Sequence, residues 1–466
     1  MAHEKLTLKE KFAYGLGDMA SNIVYQAVIN VLMYFYTDVY GIEAAAAGTL
    51  MIVVRFADAV LDPMMGAVAD RTRSKWGRYR PWMLWFAIPY GILAVTAFIT
   101  PNASVGAKLV YAYISYGLLM AAYTAVNIPY SALAGVMTSD KDERSGLQSW
   151  RFGMAMVGGF LVTVSIWPLS RFLGHGGNPE HLQLGFPFAV SLLAIIGVVA
   201  LLGCFAWTRE RVYPDAQGTK ATVLEDLGAM FRNRQWLIVT LAMLIIQIRG
   251  GLQGNVKPYF IKYYIHHDLK GIFSVTENFM ALYMGLTMLA GVAGVFVANR
   301  LFLKLGWCKV TVMKLALLGS LVPNALLLFV PRDWWQASLL LIMLANFFHM
   351  MFLPLLFAAV PDTVDYGLKT IGQGAMAMFF AGQLFALKMG ISIGGGSAGW
   401  ILGVFGYKPN VEQTEHSLLG IKLAFAGGPL VAAVLVLILM RFYKLKKGWE
   451  RNEVLLGTRA EVVGNA

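Results

Sequence analysis

The sequence predicts an all-α polytopic membrane protein with twelve transmembrane helices in two six-helix halves. Three observations lead to this fold class. The chain of 466 residues is 58% hydrophobic and only 14% charged, whereas a soluble domain carries about 25% charged residues. Apolar stretches of 18 or more residues recur along the whole chain, and each could cross a bilayer core of about 30 Å. A polar interval divides these stretches near the middle of the chain.

Twelve apolar stretches are predicted to span the membrane. Their estimated bounds are 12–38, 43–69, 80–100, 106–137, 148–172, 185–208, 235–264, 275–299, 309–330, 335–361, 372–404 and 418–443. The longest polar interval runs from about Thr208 to Gln235 and separates six spans from six. The predicted domains are an N-terminal bundle (1–208), a central cytoplasmic loop (209–234), a C-terminal bundle (235–443) and a cytoplasmic tail (444–466).

A weak internal repeat supports this division into two halves. The sequence VADR at Val68 to Arg71 recurs as VANR at Val297 to Arg300, each time after an even-numbered span. Parallel repeats of six spans are the arrangement of the major facilitator transporters, in which the substrate binds near mid-membrane between the halves. The span count, the central loop and the repeat therefore indicate one fold.

Lysine and arginine residues are concentrated in alternate loops of this predicted topology. Arg71, Arg73 and Arg78 follow the second span, and Arg209 and Arg211 follow the sixth. By the positive-inside rule, these loops and both chain termini are predicted to be cytoplasmic. The basic residues that give the net charge of +12 therefore indicate the orientation of the spans in the membrane. We predict contact with membrane lipid, but no nucleic-acid partner and no obligate protein partner.

The second span carries charged residues inside an apolar helix. Arg55, Asp58 and Asp62 lie three and four residues apart, so they share one face of an α-helix. A charge inside a bilayer costs at least about 2.5–3.5 kcal/mol by insertion scales, and such residues usually mark an ion route. We predict a cation site at the two aspartates with Arg55 as an ion-pair partner. The alternative is that Arg55 only neutralises one aspartate in a buried pair.

Several motifs point to a known family. They are YGLGDMASN in the first span, WGRYRPW after the second, YTAVNIPYSAL from Tyr123 to Leu133, DERSGLQSWR ending at Arg151, and PDTVDYG from Pro361 to Gly367. With the two aspartates, this set resembles the glycoside-pentoside-hexuronide:cation symporters from the first span to the tail. The resemblance implies a major facilitator fold in a bacterial inner membrane, alternating access, and uptake of a sugar or glycoside driven by Na⁺, H⁺ or Li⁺. It implies no cofactor besides the coupling ion.

The same resemblance identifies a cation site at Asp58, Asp62 and Thr124. Carboxylate and hydroxyl oxygens suit a hard cation such as Na⁺. Alternatively, a desolvated carboxylate could carry a proton at neutral pH. Leu61 stands where the family has an asparagine beside the second acid. The missing oxygen argues against Na⁺ and favours H⁺, although both ions stay open.

The predicted sugar site departs from the family pattern. Asn22 and Asn127 occupy the positions of two sugar-binding carboxylates in the family, whereas the cationic Arg151 and Lys388 are retained. Arginine can clamp a carboxylate or sulfonate through paired hydrogen bonds, so this charge balance favours an acidic sugar, such as a uronide or a sulfonated sugar. Because asparagine also binds hydroxyls, a neutral pentoside or hexoside is the alternative.

Further residues are assigned to this site from spacing and position. Arg249 and Lys257 lie on one face of the seventh span, although each could instead extend to an interface or cap a helix end. Ser131 replaces the family's stacking tryptophan and implies a differently shaped pocket. The complete set of predicted substrate-binding residues is Asp18, Asn22, Tyr123, Asn127, Ser131, Arg151, Arg249, Lys257 and Lys388. Asp18 could equally belong to the cytoplasmic gate.

Charged residues at the cytoplasmic ends of the spans predict a gate. They are Asp70, Arg71, Arg73, Asp140, Arg144, Asp362 and Asp365. We interpret them as ion pairs that open and reform during transport, with a solvated charged surface as the alternative. The chain has no P-loop and no H-E-x-x-H motif, so it is predicted not to be an enzyme. A transporter-derived sugar sensor is the alternative function from another class.

Overall fold

The computed structural model describes residues 5–138, 140–212, 228, 230–265, 276–301, 305, 307–371 and 376–445, and this part of the chain is almost entirely helical. The helices are α1 Leu8–Ala27, α2 Ala44–Arg71, α3 Arg80–Thr96, α4 Val105–Met137, α5 Lys141–Leu173, α6 Pro179–Trp207, α7 Arg234–Tyr259, α8 Thr276–Asn299, α9 Lys309–Leu327, α10 Trp335–Ala358, α11 Val360–Ile371, α12 Met376–Val404, α13 Glu415–Lys422 and α14 Gly428–Leu439. The all-α fold class is confirmed.

Ten helices of the described residues are long and apolar enough to cross a membrane. In this count α10 with α11 forms one span, and α13 with α14 forms another. The two remaining predicted spans correspond to α1 and α3. Helix α3 has only 17 residues, and α1 carries polar residues such as Ser21, Asn22 and Gln26 in its middle. These two helices are therefore short or polar by the standards of a lipid-facing span.

Short π-helical turns extend two helices that carry polar groups. Val28–Leu32 and Phe35–Val39 continue α1, and Phe260–Tyr264 continues α7. The π-helical geometry is rare and occurs frequently at functional sites. The turn after α1 contains Asp38, and the turn after α7 contains Lys262.

Contacts divide the chain into two compact units. Unit 1 comprises Met1–Gln217, Gly254–Gly285 and Gly395–Ile421, and unit 2 comprises Gly218–Gln253, Leu286–Gly394 and Lys422–Ala466. These bounds differ from the halves predicted from the sequence, because the last parts of α7 and α12 and the first part of α8 belong to unit 1. The sites described below lie within one unit or the other.

In unit 1, α1 packs against α5 and α6, and α3 packs against α4 and α6. Small residues allow α2 and the last part of α12 to approach closely. A Cβ atom added at Gly48 would lie 2.5 Å from the carbonyl oxygen of Gly396, so the backbones meet where no side chain fits.

In unit 2, a core of buried apolar residues joins α7, α9, α10, α11 and α12. It includes Trp236, Met313, Phe352 and Phe379. Asn233 fixes the start of α7, because its Oδ1 accepts a hydrogen bond from the Trp236 amide at 3.0 Å as an N-cap residue does.

The loop between α2 and α3 is built around the carboxylate of Glu210. The amides of Arg78, Tyr79 and Arg80 donate to it at 2.9, 2.8 and 3.0 Å. The carboxylate therefore caps the N-terminus of α3, where a negative charge is stabilised by the helix dipole. Gly77 has φ +107°, and a Cβ there would collide with this carboxylate. In the same loop, burial and the hydrogen bond to Asp70 raise the pKa of Tyr79 to about 12.

Replacing Glu210 with glutamine is expected to destabilise this loop. One acceptor oxygen becomes an amide donor that faces backbone N–H groups, and a hydrogen bond to a charged group contributes about 1.5–3 kcal/mol. The melting temperature of the purified protein should fall accordingly. Glu412→Gln removes the same charge at an exposed position and is the matched control. Equal melting temperatures for the two variants would show that Glu210 does not hold the loop.

Candidate cation and sugar sites

The three predicted cation-site residues come together in unit 1. Asp58 and Asp62 lie on α2 and Thr124 lies on the facing α4. The Thr124 hydroxyl is 2.5 Å from Asp58 Oδ1 and 3.1 Å from Asp62 Oδ1. Asp58 is 4% exposed and Thr124 is 2% exposed. Two carboxylates and one hydroxyl thus form a compact oxygen cluster, which can hold a proton or a small hard cation.

Arg55 contacts two tyrosine side chains, and its role as an ion-pair partner of the aspartates remains a prediction. Its Nε donates to the Tyr116 hydroxyl at 3.1 Å, and its guanidinium lies 5.4 Å from the ring centroid of Tyr25. Side chains on a helix lean toward its N-terminus, and the long arginine side chain reaches phenols on α4 and α1. Arg55 is buried, so aromatic groups accommodate its charge.

The arginine predicted for sugar binding is already paired with an acid of the same set. Arg151 Nε on α5 donates to Asp18 Oδ2 on α1 at 3.1 Å. Its Nη2 also donates to the Ser131 hydroxyl at 3.2 Å, and the guanidinium lies 5.2 Å from the ring centroid of Tyr130. Three of the predicted substrate-binding residues therefore form one hydrogen-bonded group whose formal charges cancel.

Asn127, Tyr123 and Asn22 supply uncharged polar groups nearby on α4 and α1. The Asn127 amide donates to the Tyr123 hydroxyl at 3.1 Å, and Tyr123 stacks on Tyr25 with ring centroids 5.6 Å apart. The Asn127 Oδ1 is buried and has no hydrogen-bond partner among the residues that the structure describes. Asn22 donates to the Asp18 carbonyl at 2.9 Å. An acceptor without a partner and a stacked aromatic pair suit a hydroxylated ring.

The remaining cationic residues of the predicted sugar site are distributed over the two units. Lys257 belongs to unit 1 and Lys388 to unit 2, and both are half-buried. Arg249 is 3% exposed and lines a small cavity inside unit 2 with residues of α9, α10 and α14. The spacing of Arg249 and Lys257 places them on one face of α7. Helices of unit 2 cover Arg249, so this residue lies in the interior of that unit.

The predicted gate residues make local contacts. Asp70 accepts a hydrogen bond from Tyr79 at 2.7 Å, and Arg71 and Arg73 are exposed. Asp140 caps the start of α5 by accepting from the Glu143 amide at 3.0 Å. Asp362 pairs with Lys309 at 2.6 Å within unit 2. Asp365 is exposed, and the side chain of Arg144 lies outside the described residues. The gate formed by this set remains a prediction.

Two ion pairs near the start of the chain were not predicted. Lys11 pairs with Glu143 at 2.8 Å, and Arg211 pairs with Glu10 at 2.5 Å. Burial raises the pKa of the Glu10 carboxyl, but hydrogen bonds from Thr7 and Arg211 outweigh it and hold that pKa below the usual range for glutamate. These pairs connect the first turn of α1 to the start of α5 and to the segment after α6.

The most extensive polar cluster in unit 1 also escaped the sequence analysis. It is centred on Asp38, whose side chain is fully buried. Lys262 Nζ donates to Asp38 Oδ1 at 2.9 Å, and the Tyr263 hydroxyl donates to the same oxygen. The Tyr407 hydroxyl donates to Oδ2 at 2.6 Å, and so does Thr37 at 2.9 Å. We call these five residues the Asp38 cluster.

The Asp38 cluster joins three distant parts of the sequence. Asp38 lies in the π-helical extension of α1, Lys262 and Tyr263 lie in that of α7, and Tyr407 follows α12. Asn410 strengthens the junction, because its side-chain amide donates to the Asp38 carbonyl at 2.6 Å. A signal was present in the sequence: an aspartate at the very end of the first span and a lysine at the end of the seventh, each among aromatic residues.

The fold of the chain resembles those of several solved membrane proteins. It matches the structure of the nucleoside transporter NupG with a TM-score of 0.61 at 15% identity, covering 94% of this chain and 100% of that one. A D-xylose-proton symporter structure matches with a TM-score of 0.58 at 14% identity, over 92% of this chain and 96% of that chain. This similarity defines a multi-pass membrane protein with the major facilitator fold, as the sequence predicted.

The family described as MFS/sugar transport protein matches residues 13–447, and the chain belongs to this family. The inner membrane symporter YicJ of Escherichia coli (strain K12) is 37% identical over 96% of this chain and 94% of its own length. The isoprimeverose transporter of Lactiplantibacillus pentosus is 33% identical over 94% and 89%. The glucuronide carrier protein homolog of Escherichia coli (strain K12) is 29% identical over 95% and 94%. The resemblance to the glycoside-pentoside-hexuronide:cation symporters is confirmed, and the chain is a transporter rather than an enzyme.

Proposed function

We propose that this protein imports a sugar or glycoside by symport with a cation at Asp58, Asp62 and Thr124. The observation that carries the proposal is the short contact of one buried hydroxyl with two carboxylates. Two adjacent negative charges in a buried site are costly unless a proton or metal cation accompanies them. Binding of that cation therefore alters the charge of a helix pair, α2 and α4, that also carries the sugar-site residues Tyr123 and Asn127.

We propose H⁺ as the coupling ion. A threonine hydroxyl has one hydrogen to donate, yet both aspartates lie within hydrogen-bond distance of it. Each contact is a full hydrogen bond when one carboxyl group is protonated and donates to the Thr124 oxygen, whereas without that proton the two carboxylates share a single hydroxyl hydrogen. Leu61 beside Asp62 offers no oxygen to a metal ion, which supports the same assignment. Na⁺ is the second candidate.

We propose a neutral sugar as the substrate, which revises the preference for an acidic sugar drawn from the sequence. That preference rested on unbalanced cationic residues. Arg151 is balanced by Asp18, and Arg249 is buried within unit 2. The polar groups around Asn127 are uncharged and suit hydroxyl groups. Lys388 and Lys257 support the acidic sugar as the second candidate.

The proposed setting is a bacterial inner membrane with both termini in the cytoplasm. The asymmetry of lysine and arginine among the loops supports this orientation. The membrane lipid and the sugar are then the expected partners of the protein.

The test is uptake by the purified full chain in proteoliposomes. A screen of neutral and uronic sugars by thermal shift first selects the ligand. Uptake of that sugar is then measured across a matrix of pH gradients and Na⁺ concentrations. We expect a neutral sugar to stabilise the protein, and an inward proton gradient to drive its accumulation without Na⁺.

Two variants separate the alternatives in this test. Arg151→Ala should weaken binding of any sugar, because it leaves Asp18 without its partner. Lys388→Ala should weaken binding only if the ligand is acidic. Stabilisation by uronic sugars alone, lost in Lys388→Ala, would favour the acidic substrate. Sugar binding without counterflow would indicate a sensor.

A further inference from the structure

Arg249 is a buried charge whose surroundings do not balance it. It lies on α7, 15 residues after the start of the helix and 10 before its end, and it is 3% exposed. Its Nη2 atom is buried and has no hydrogen-bond partner among the residues that the structure describes. Arginine does not lose its proton in proteins, so a full positive charge remains in the interior of unit 2.

Unit 2 offers no acidic residue at this depth. The acidic residues in the sequence of unit 2 all lie at or beyond the ends of the apolar spans; they are Glu225, Asp226, Asp333, Asp362, Asp365, Glu450, Glu453 and Glu461. The contrast with unit 1 is direct, because Arg151 there is paired with Asp18. An uncompensated ion in a low-dielectric interior is strongly unfavourable, so a negative ligand beside Arg249 would stabilise unit 2.

The guanidinium opens onto a small cavity with a polar side. The cavity has a volume of about 10 Å³, and Ser320 on α9 and His349 on α10 line it beside Arg249. Its other walls are apolar and include Ile246, Leu317 and Phe352. A volume of this size accepts one water-sized particle, which excludes a sugar carboxylate and polyatomic anions such as phosphate.

We propose that this cavity is a binding site for a small monatomic anion of the chloride class. The anion lies against the Nη2 atom of Arg249 and supplies the negative charge that unit 2 lacks at this depth. Ser320 and His349 provide the polar part of its shell, and the apolar walls exclude larger hydrated ions. The cavity is lined by residues of unit 2, whereas Asp58, Asp62, Thr124 and Asn127 belong to unit 1, and chloride acts here as a structural ligand.

The proposal is tested by the thermal stability of the purified full chain at constant ionic strength. Sodium chloride is titrated against sodium gluconate, whose anion is too large for the cavity. A ligand that binds only the folded state raises the melting temperature along a saturating curve. We expect such a shift with chloride and bromide for the wild type, and its loss in Arg249→Gln. Arg441→Gln removes an exposed arginine of the same unit and should keep the full shift.

A direct measurement covers the case in which Arg249→Gln does not fold. Crystals of the wild-type protein grown in bromide should show an anomalous-scattering peak at Arg249 Nη2. Identical chloride responses in wild type and Arg249→Gln would overturn the proposal. It would also be overturned by a wild-type protein with no chloride response, or by bromide crystals without a peak in this cavity. Sugar uptake takes no part in these measurements, so a failure of the proposed symport leaves them unaffected.

Discussion

Asp58→Asn is expected to abolish uphill accumulation of the sugar while sugar binding persists. The substitution keeps the shape of the side chain but removes one of the two charges that the coupling ion balances. Without that charge, the ion gradient cannot drive sugar transport through α2 and α4, and the internal sugar concentration should not rise above the external one. Counterflow, which needs no gradient, should continue. Thr124→Val is expected to act in the same direction, because it removes the hydroxyl between the two carboxylates.

The matched control for this experiment is Asp333→Asn. Asp333 is exposed, and its substitution removes one negative charge without changing the proposed site. Accumulation by this variant should equal that of the wild type. If Asp58→Asn also accumulated sugar against a gradient, the coupling ion would have to bind elsewhere, and the assignment of Asp58 would be wrong.

Asp38→Ala is expected to lower the stability of the protein and to make residues near Asp38 more accessible from one side of the membrane. The side chain is fully buried and accepts from Lys262, Tyr263, Tyr407 and Thr37. Removing one partner of a buried ion pair costs about 3–5 kcal/mol, because the other charge is left without compensation. The melting temperature should therefore fall by several degrees. By the predicted topology, the end of α1 is on the outer side of the membrane, so the Asp38 cluster holds three outer helix ends together.

Loss of this junction should also change thiol labelling. A cysteine introduced at Asn410, in a background without Cys204 and Cys308, should react faster with a membrane-impermeant reagent when Asp38 is alanine. Glu43→Gln is the control, because it removes an exposed carboxylate only five residues away. If Asp38→Ala matched Glu43→Gln in both melting temperature and labelling rate, the cluster would not be a structural junction.

The fold could be predicted from the sequence because lipid restricts what a long apolar stretch can become. Backbone polar groups in a bilayer need internal partners, so the predicted spans had to be helices. Helix ends and breaks were harder to predict. The interruption at Ala359 between α10 and α11, and the π-helical turns after α1 and α7, depend on packing that has no clear periodic signal.

Some features of the site residues could likewise be predicted from the sequence, and others could not. Asp58, Asp62 and Thr124 were predictable, because charges in an apolar helix and a family motif indicated them together. The partner of Arg55 was not, since spacing along one helix cannot show that Tyr116 on another helix is within reach. The burial of Arg249 within unit 2 was not predictable for a related reason: helical spacing gives a face, but not which neighbouring helices cover that face.

The hydrogen bonds to Glu210 limit where the predicted central loop can be modified. Arg211 and Val212 both donate backbone hydrogen bonds to the Val136 carbonyl, at 2.8 and 2.9 Å, and Arg211 also pairs with Glu10. These contacts hold the chain against unit 1 as far as Val212, beyond the last turn of α6. A protease site or reporter inserted at or before Glu210 would disrupt the start of α3, whereas one inserted after Val212 would preserve these contacts.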